Sequence, residues 1–378
     1  MSAVETTTLA QLVEEAQRVL SICNACRYCE GYCAVFPALQ RRLEFTENDV
    51  HYLTNLCHNC GSCLYACQYA PPHEFQLNFP RTLAQVRVQT YRKYAWPGFL
   101  ARLYERNGVA VSLATAASLA LMLVFTAWYA DPSRFLGAFS DAQGSFYAVL
   151  PHNTMVALFG TVFAFVIASF VMAFTRFWPD LGEKIGDFFG PAAAAGAVGD
   201  ALSLKYLDGG GDGCMYPDEK PSFARRRFHH LTFYGFMLCF AATATGTIYH
   251  YLGRHAPYPF WSLPVVLGTL GGIGLIVGPV GLLWLKRRRD PELVDLAQKG
   301  MDAGFLALLL ATSLTGLLLL ALRETRGMGV LLAVHLGMVL ALFLTMPCGK
   351  FAHAFYRFAA LVRFRLERRR PPPAVAAE

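Results

Sequence analysis

From Gly108 onward the chain is built of six long apolar stretches, and no water-soluble core can take up so many in succession. They are Gly108–Ala130, His152–Thr175, Phe228–Leu252, Trp261–Leu285, Ala303–Leu322 and Met328–Met346. The first has no charged side chain across 23 residues, enough to cross a hydrocarbon layer of about 30 Å. Any one alone would pass for a buried helix, but the series does not. Composition agrees: 55% of the 378 residues are hydrophobic and 16% charged, against about 45–50% and about 25% in ordinary soluble domains. Aromatic residues cluster near the ends of the stretches, at Trp128, Tyr129, Trp178, Tyr249, Tyr251 and Trp261, where a bilayer interface favours them.

Six spans put both termini on one side. Of the 33 Lys and Arg, only Arg134, Arg254, Arg323 and Arg326 fall in the segments of the opposite side. The positive-inside rule therefore predicts that residues 1–107, the segment 176–227 and the tail are cytoplasmic. The runs Lys286-Arg287-Arg288-Arg289 and Arg368-Arg369-Arg370 read as topology signals. The net charge of +7 thus follows from membrane orientation, and nothing beside these runs reads nucleic acid.

Eight of eleven cysteines lie between residues 23 and 67, in two runs of C-x2-C-x2-C-x3-C. Residues 1–22 carry Glu5, Glu14 and Glu15 and lack the apolar core of a signal peptide. Leu9–Leu20 reads as a short amphipathic helix. A reducing compartment favours thiolate ligands over disulfides. Zinc ribbons space their cysteine pairs more widely. Three closely spaced thiolates suit an iron–sulfur cube, whose fourth ligand comes from the other run. The spacing predicts two [4Fe–4S] clusters, one on Cys23, Cys26, Cys29 and Cys67, the other on Cys57, Cys60, Cys63 and Cys33. Residues 34–56 read as one helix, with His51 and His58 as satisfied histidines near the clusters. Cys214, Cys239 and Cys348 read as ordinary thiols.

Glycines at 268, 271, 272, 274, 278 and 281 predict close helix packing by the fourth span. Asp208-Gly-Gly-Gly-Asp-Gly213 lacks the strand and the Gly-Lys-Ser/Thr of a phosphate loop, so a flexible turn is expected. No dinucleotide fingerprint occurs.

Ionisable residues within a bilayer are costly and usually functional. His335 and His353 are separated by five whole turns and share a face if the last helix is straight. On the antiparallel third span, His229 and His250 are offset by about 60°, whereas His230 faces elsewhere. Depths then match as His229 with His353 and His250 with His335, and two facing histidines fill the axial positions of a b-type haem. Two such haems are expected, with His230 as the competitor of His229. His152 and His255 read as helix-end residues.

The strings Cys-Asn-Ala-Cys-Arg-Tyr-Cys-Glu-Gly-Tyr-Cys-Ala-Val-Phe-Pro (23–37), Cys-His-Asn-Cys-Gly-Ser-Cys-Leu-Tyr-Ala-Cys-Gln-Tyr-Ala-Pro-Pro-His-Glu-Phe (57–75) and Arg-Arg-Phe-His-His-Leu-Thr-Phe-Tyr-Gly (226–235) resemble the TcuB family of tricarballylate-utilisation iron–sulfur membrane proteins. The resemblance covers nearly the whole chain. A related module is fused to a flavoprotein in CobZ proteins. Pro347-Cys-Gly-Lys-Phe-Ala-His353 is similar to the haem-binding end of the nitrate reductase gamma subunit. The TcuB resemblance implies a bacterial cytoplasmic-membrane protein. Its partner would be an FAD dehydrogenase (TcuA-like) that oxidises tricarballylate to cis-aconitate, and its acceptor the quinone pool.

The expected architecture is all-α. A two-cluster ferredoxin-like domain spans residues 1–107, a six-helix cytochrome b-like membrane bundle 108–362, and a basic, proline-rich tail 363–378. The expected role is electron transfer from a docked flavoprotein to quinone. Rival readings are a catalytic iron–sulfur reductase subunit and a redox-sensing membrane anchor.

Overall fold

The computed structural model describes residues 9–138, 146–215, 220–254 and 256–371. His255 and the last seven residues of the expected tail lie outside them.

The cysteine-bearing part is built on three helices. α1 (Leu9–Cys26) buries one stripe, Val13, Ala16, Val19 and Leu20, the spacing of an amphipathic helix. α2 (Glu47–Leu56) begins at Thr46, whose hydroxyl accepts the Asp49 N–H while the Asp49 carboxylate accepts the Thr46 N–H. This reciprocal cap satisfies two N–H groups that helix geometry leaves over. It also corrects the expectation of a single helix over 34–56: an N-cap has extended backbone, and a short helical turn at Val35–Leu39 precedes it separately. α3 (Phe79–Tyr94) starts after Asn78, whose side chain accepts the Arg81 N–H. Pro80 sits in the first turn, where its missing N–H costs no hydrogen bond.

The remaining main helices are α4 (Asn107–Tyr129), α5 (His152–Asp180), α6 (Pro191–Leu202), α7 (Ala224–Tyr251), α8 (Leu263–Arg288), α9 (Lys299–Ala321), α10 (Met328–Thr345) and α11 (Ala352–Glu367). A two-stranded ribbon, β1 (Cys214–Met215) with β2 (Pro221–Ser222), precedes α7. Among the described residues six helices are long and apolar enough to cross a membrane, and they follow the six stretches read from sequence. Large apolar side chains face outward along them, such as Val124 at 69% exposure and Trp261 at 93%. Lipid rather than water is the solvent such a surface suits. The chain is a membrane protein. α10 is the most enclosed span, packed against α4, α9 and α5.

α7 and α8 approach closely because α8 presents glycine. A Cβ on Gly271 would stand 2.8 Å from the Cys239 backbone nitrogen, and one on Gly278 would stand 2.4 Å from the Thr232 hydroxyl. The packing role expected of these glycines is the one they have. Gly278→Val is expected to drive α7 off α8 and to lower the thermal stability of the detergent-solubilised protein, at an overpacking cost of about 1–3 kcal/mol. An unchanged melting curve would refute this close-packing account.

The last span does not continue straight into His353. α10 ends at Thr345, a 3-10 turn covers Met346–Cys348, and α11 starts anew at Ala352. Pro347 supplies no N–H to continue the helix. The freed carbonyls are answered from the other domain: Tyr104 donates to Pro347 O at 3.0 Å and the Asn107 amide to Cys348 O at 2.5 Å. Gly349 is needed here, since a Cβ would stand 2.7 Å from Thr345 O. The straight five-turn relation of His335 to His353 is therefore replaced by a bend.

α11 runs to Glu367, so residues 363–367 of the expected tail are helical. It packs on α2 and on α6. Arg365 grips Asp200 of α6, its Nε 2.6 Å from the carboxylate. α6, within the segment 176–227, is thus part of this interface.

Candidate functional site

The two cysteine runs share one backbone feature: Arg27 and Gly61, four residues after the first cysteine of each run, both adopt left-handed backbone, at φ 57° and 89°. Burial pushes the Cys23 thiol pKa well up, and the neighbouring thiols of Cys67, Cys29 and Cys26 push it further. Burial likewise raises Cys29, to about 12, with Cys67 its next influence. Cys33 is raised by burial and then by Cys60 and Cys57. Cys63 is raised by burial and then by Cys60, Cys57 and Cys33. The chain thus gathers the eight thiols into one neighbourhood: Cys23, Cys26, Cys29, Cys63 and Cys67 line a single pocket, and Cys33 lies near Cys57 and Cys60. Crowded thiols that resist ionisation alone are the donor set that a cationic iron–sulfur core suits. Among the described residues no three His, Cys, Asp or Glu side chains converge on a single-ion site.

Two features of this region were not legible. The glycine loop expected to be a flexible turn is a fitted lid: a Cβ on Gly210 would meet Gly31 O at 3.2 Å, and one on Gly209 the Ser62 hydroxyl at 2.6 Å. Cys214, expected to be an ordinary thiol, lies against Cys60 and is the first influence holding that thiol's pKa down to about 6. Hydrogen bonds to ligand sulfur set cluster potentials. Cys214→Ala is expected to lower the midpoint of the cluster on Cys60 by about 40 mV, one hydrogen bond of about 1 kcal/mol acting on a one-electron couple. An EPR-monitored titration reads this shift, and an unmoved midpoint would show that the thiol does not act on that cluster.

His51 is satisfied as expected, its Nδ1 2.8 Å from the Thr90 hydroxyl and its Nε2 3.2 Å from Glu47. His58 is different. It borders, with Asn59, a cavity of about 480 Å³ between the cysteine domain and the membrane helices. Burial, with Arg357 and Arg225 alongside, keeps His58 well below the usual histidine pKa.

His229 of α7 and His353 of α11 line the same cavity, their ring centroids 6.2 Å apart and the rings nearly perpendicular. His353 donates Nδ1–H to Lys350 O at 2.5 Å, the kind of second bond that fixes the orientation of a metal-binding imidazole. Burial first, then Arg357 and Lys350, keep His353 well below the usual histidine pKa, and the neutral ring is the ligating form. The Nδ1 of His229 is buried without a partner. His230 does not line the cavity; its ring lies 5.7 Å from Tyr234. A cavity this size holds a cofactor, and the paired imidazoles fit a bis-histidine haem.

The outer histidines are arranged otherwise. His250 stacks on His152 with centroids 3.6 Å apart, and His335 bonds the Thr315 hydroxyl at 3.1 Å. The ring that His250 meets is thus His152, expected only as a helix end.

Two arginines join cavity and cysteines. Arg225, one turn before His229, donates to His58 O at 2.9 Å and Asn59 O at 2.6 Å. Arg357, one turn after His353, donates to Cys57 O at 2.9 Å.

A family model described as Citrate utilization protein B matches residues 102–374, and one described as Citrate utilization protein B Fer4-like domain matches residues 16–93. The Citrate utilization protein B of Escherichia coli is 53% identical over 376 residues, covering 99% of this chain and 97% of that protein. No solved structure matches.

Proposed function

Because this chain belongs to the citrate utilization protein B family, an iron–sulfur membrane family, we propose that it carries electrons from a reduced flavoprotein to membrane quinone. One observation carries the reading: His58 and Asn59, next to Cys57, border a single cavity with the histidine pair His229/His353, and Arg225 and Arg357 tie the two sides together. Cys23, Cys26, Cys29 and Cys67 would hold one [4Fe–4S] cluster, and Cys33, Cys57, Cys60 and Cys63 the second. His229 and His353 would hold a b-type haem. At the far side His250 meets His152 and His335 meets Thr315, so this reading assigns no second haem there. When bound, these groups supply one-electron steps that divide the electron pair of a reduced flavin.

The chain's own residues set the order. Cys57 and Cys60 are buried and flank the cavity-lining His58 and Asn59, whereas the other six cysteines of the two runs are part-exposed. This favours the second quartet as the one nearer the membrane helices and the first as the one nearer the donor. The bias of Lys and Arg supports a cytoplasmic position for this face. The donor is an FAD dehydrogenase of a tricarboxylate. Tricarballylate is the acid to which the sequence resemblance points, and citrate is the acid in the relative's name.

The test is reconstitution of the full chain in proteoliposomes with quinone, a tricarballylate-oxidising flavoprotein and tricarballylate, without oxygen. Quinol should form only when all are present. A flavoprotein that stays reduced beside unreacted quinone would overturn the proposal.

A further inference from the structure

Two arginines of the cavity have buried nitrogens and no acid to answer them. Arg87 on α3 is 5% exposed and donates Nε–H to Thr54 O at 2.8 Å, while its Nη2 is buried without a partner. Arg357 on α11 donates to Cys57 O, and its Nε is buried without a partner. A guanidinium kept from water with only carbonyls for company is costly. Six Lys and Arg line the cavity against three Asp. Each Asp is committed elsewhere. Asp200 takes Arg365. Asp295 takes the Gln298 amide at 2.8 Å. Asp302 lies between Lys286 and Lys350, 2.7 Å from the latter. What remains is a demand for carboxylates from outside the chain.

We propose that Arg87 and Arg357 form a carboxylate-binding pair, and that they take the propionates of the haem held by His229 and His353. This rests on the haem reading above. Haem carries its metal and its two carboxylates on one rigid frame, so a cavity built for it needs axial ligands and paired cations together. Arg357 meets this requirement by lying one turn from His353, on the same side of α11. Arg87 comes from the cysteine domain, so the carboxylates would also pin that domain to the membrane helices. A free tricarboxylate is the competing occupant of the same chemistry.

The experiment uses the full chain purified in detergent, comparing wild type with Arg87→Gln, Arg357→Gln, the double variant, and Arg87→Lys and Arg357→Lys. Haem is counted against cluster iron, its dissociation is followed on dilution, and its midpoint is titrated. Each Gln variant is expected to release haem about tenfold faster or more, the loss of a charge-assisted hydrogen bond. Each should also lower the haem midpoint, because removing a positive charge favours the oxidised form. The Lys variants should restore the midpoint while cluster iron stays at wild-type level. A wild type that holds haem, with Gln variants that keep its dissociation rate and midpoint, overturns the propionate assignment alone. A wild type with no haem overturns the haem reading and this one with it. Citrate binding to the haem-loaded wild type that disappears in Arg87→Gln would also overturn the assignment, because a free acid would then be the occupant.

Discussion

His353→Ala is expected to strip the low-spin haem from the cavity while leaving cluster iron intact. The ring is placed by the break at Pro347–Gly349, oriented by its bond to Lys350 O, and set 6.2 Å from His229. Nothing on the cavity lining other than His58 and His229 offers an imidazole in its place. Even loss of a residue that only orients a metal ligand costs about 10–100-fold in affinity, so loss of the ligand itself should reduce bound haem more than tenfold. The reduced-minus-oxidised spectrum reads the result. His230→Ala is the informative contrast, since His230 lies off the cavity and its variant should keep the haem. Equal loss in both variants would refute the assignment of His229 over His230.

Glu367→Gln is expected to loosen the seat of α11 and to lower the melting temperature markedly. The Glu367 carboxylate is nearly buried at 7% exposure, accepts from Arg42 at 2.5 Å and the Tyr52 hydroxyl at 3.0 Å, and forms an ion pair with Arg363 at 3.2 Å. Removing its charge leaves two buried guanidiniums with Asp49 as the main remaining counter-charge. Breaking a buried pair from one side costs about 3–5 kcal/mol. Because α11 also presents His353 and Arg357, haem retention should fall together with stability. Tryptophan fluorescence during heating checks the first effect, and an unshifted transition would contradict it. Acid should act in the same direction. Burial alone would raise the Asp49 pKa, but Arg42 holds it below the usual carboxylate value. The stability Asp49 contributes is therefore complete above the ordinary carboxylate pKa and is lost as pH falls through the lowered one.

What the sequence revealed and concealed follows from the range of the interactions. The six spans were legible because a membrane crossing is a local property of length and apolarity. The two cysteine runs were legible because their spacing repeats. The glycine face of α8 was legible from its pattern, and Gly278 against Thr232 shows why it matters. The start of α2 was written in Thr46 and Asp49 but was overridden by reading residues 34–56 as continuous. His152 beside His250 and Cys214 beside Cys60 were concealed, since no period links residues so far apart. Arg87 and Arg357 were concealed for the same reason. A sequence shows a charge but not whether an acid reaches it.

The central claim, that this chain is an electron conduit from clusters through a bis-histidine haem, is tested most directly by one titration. The purified full chain is poised at successive potentials and read by EPR and visible absorption together. The account predicts two [4Fe–4S] signals and a low-spin haem whose α-band appears on reduction and whose amplitude falls in His229→Ala and His353→Ala. Clusters without any low-spin haem signal or α-band would contradict it.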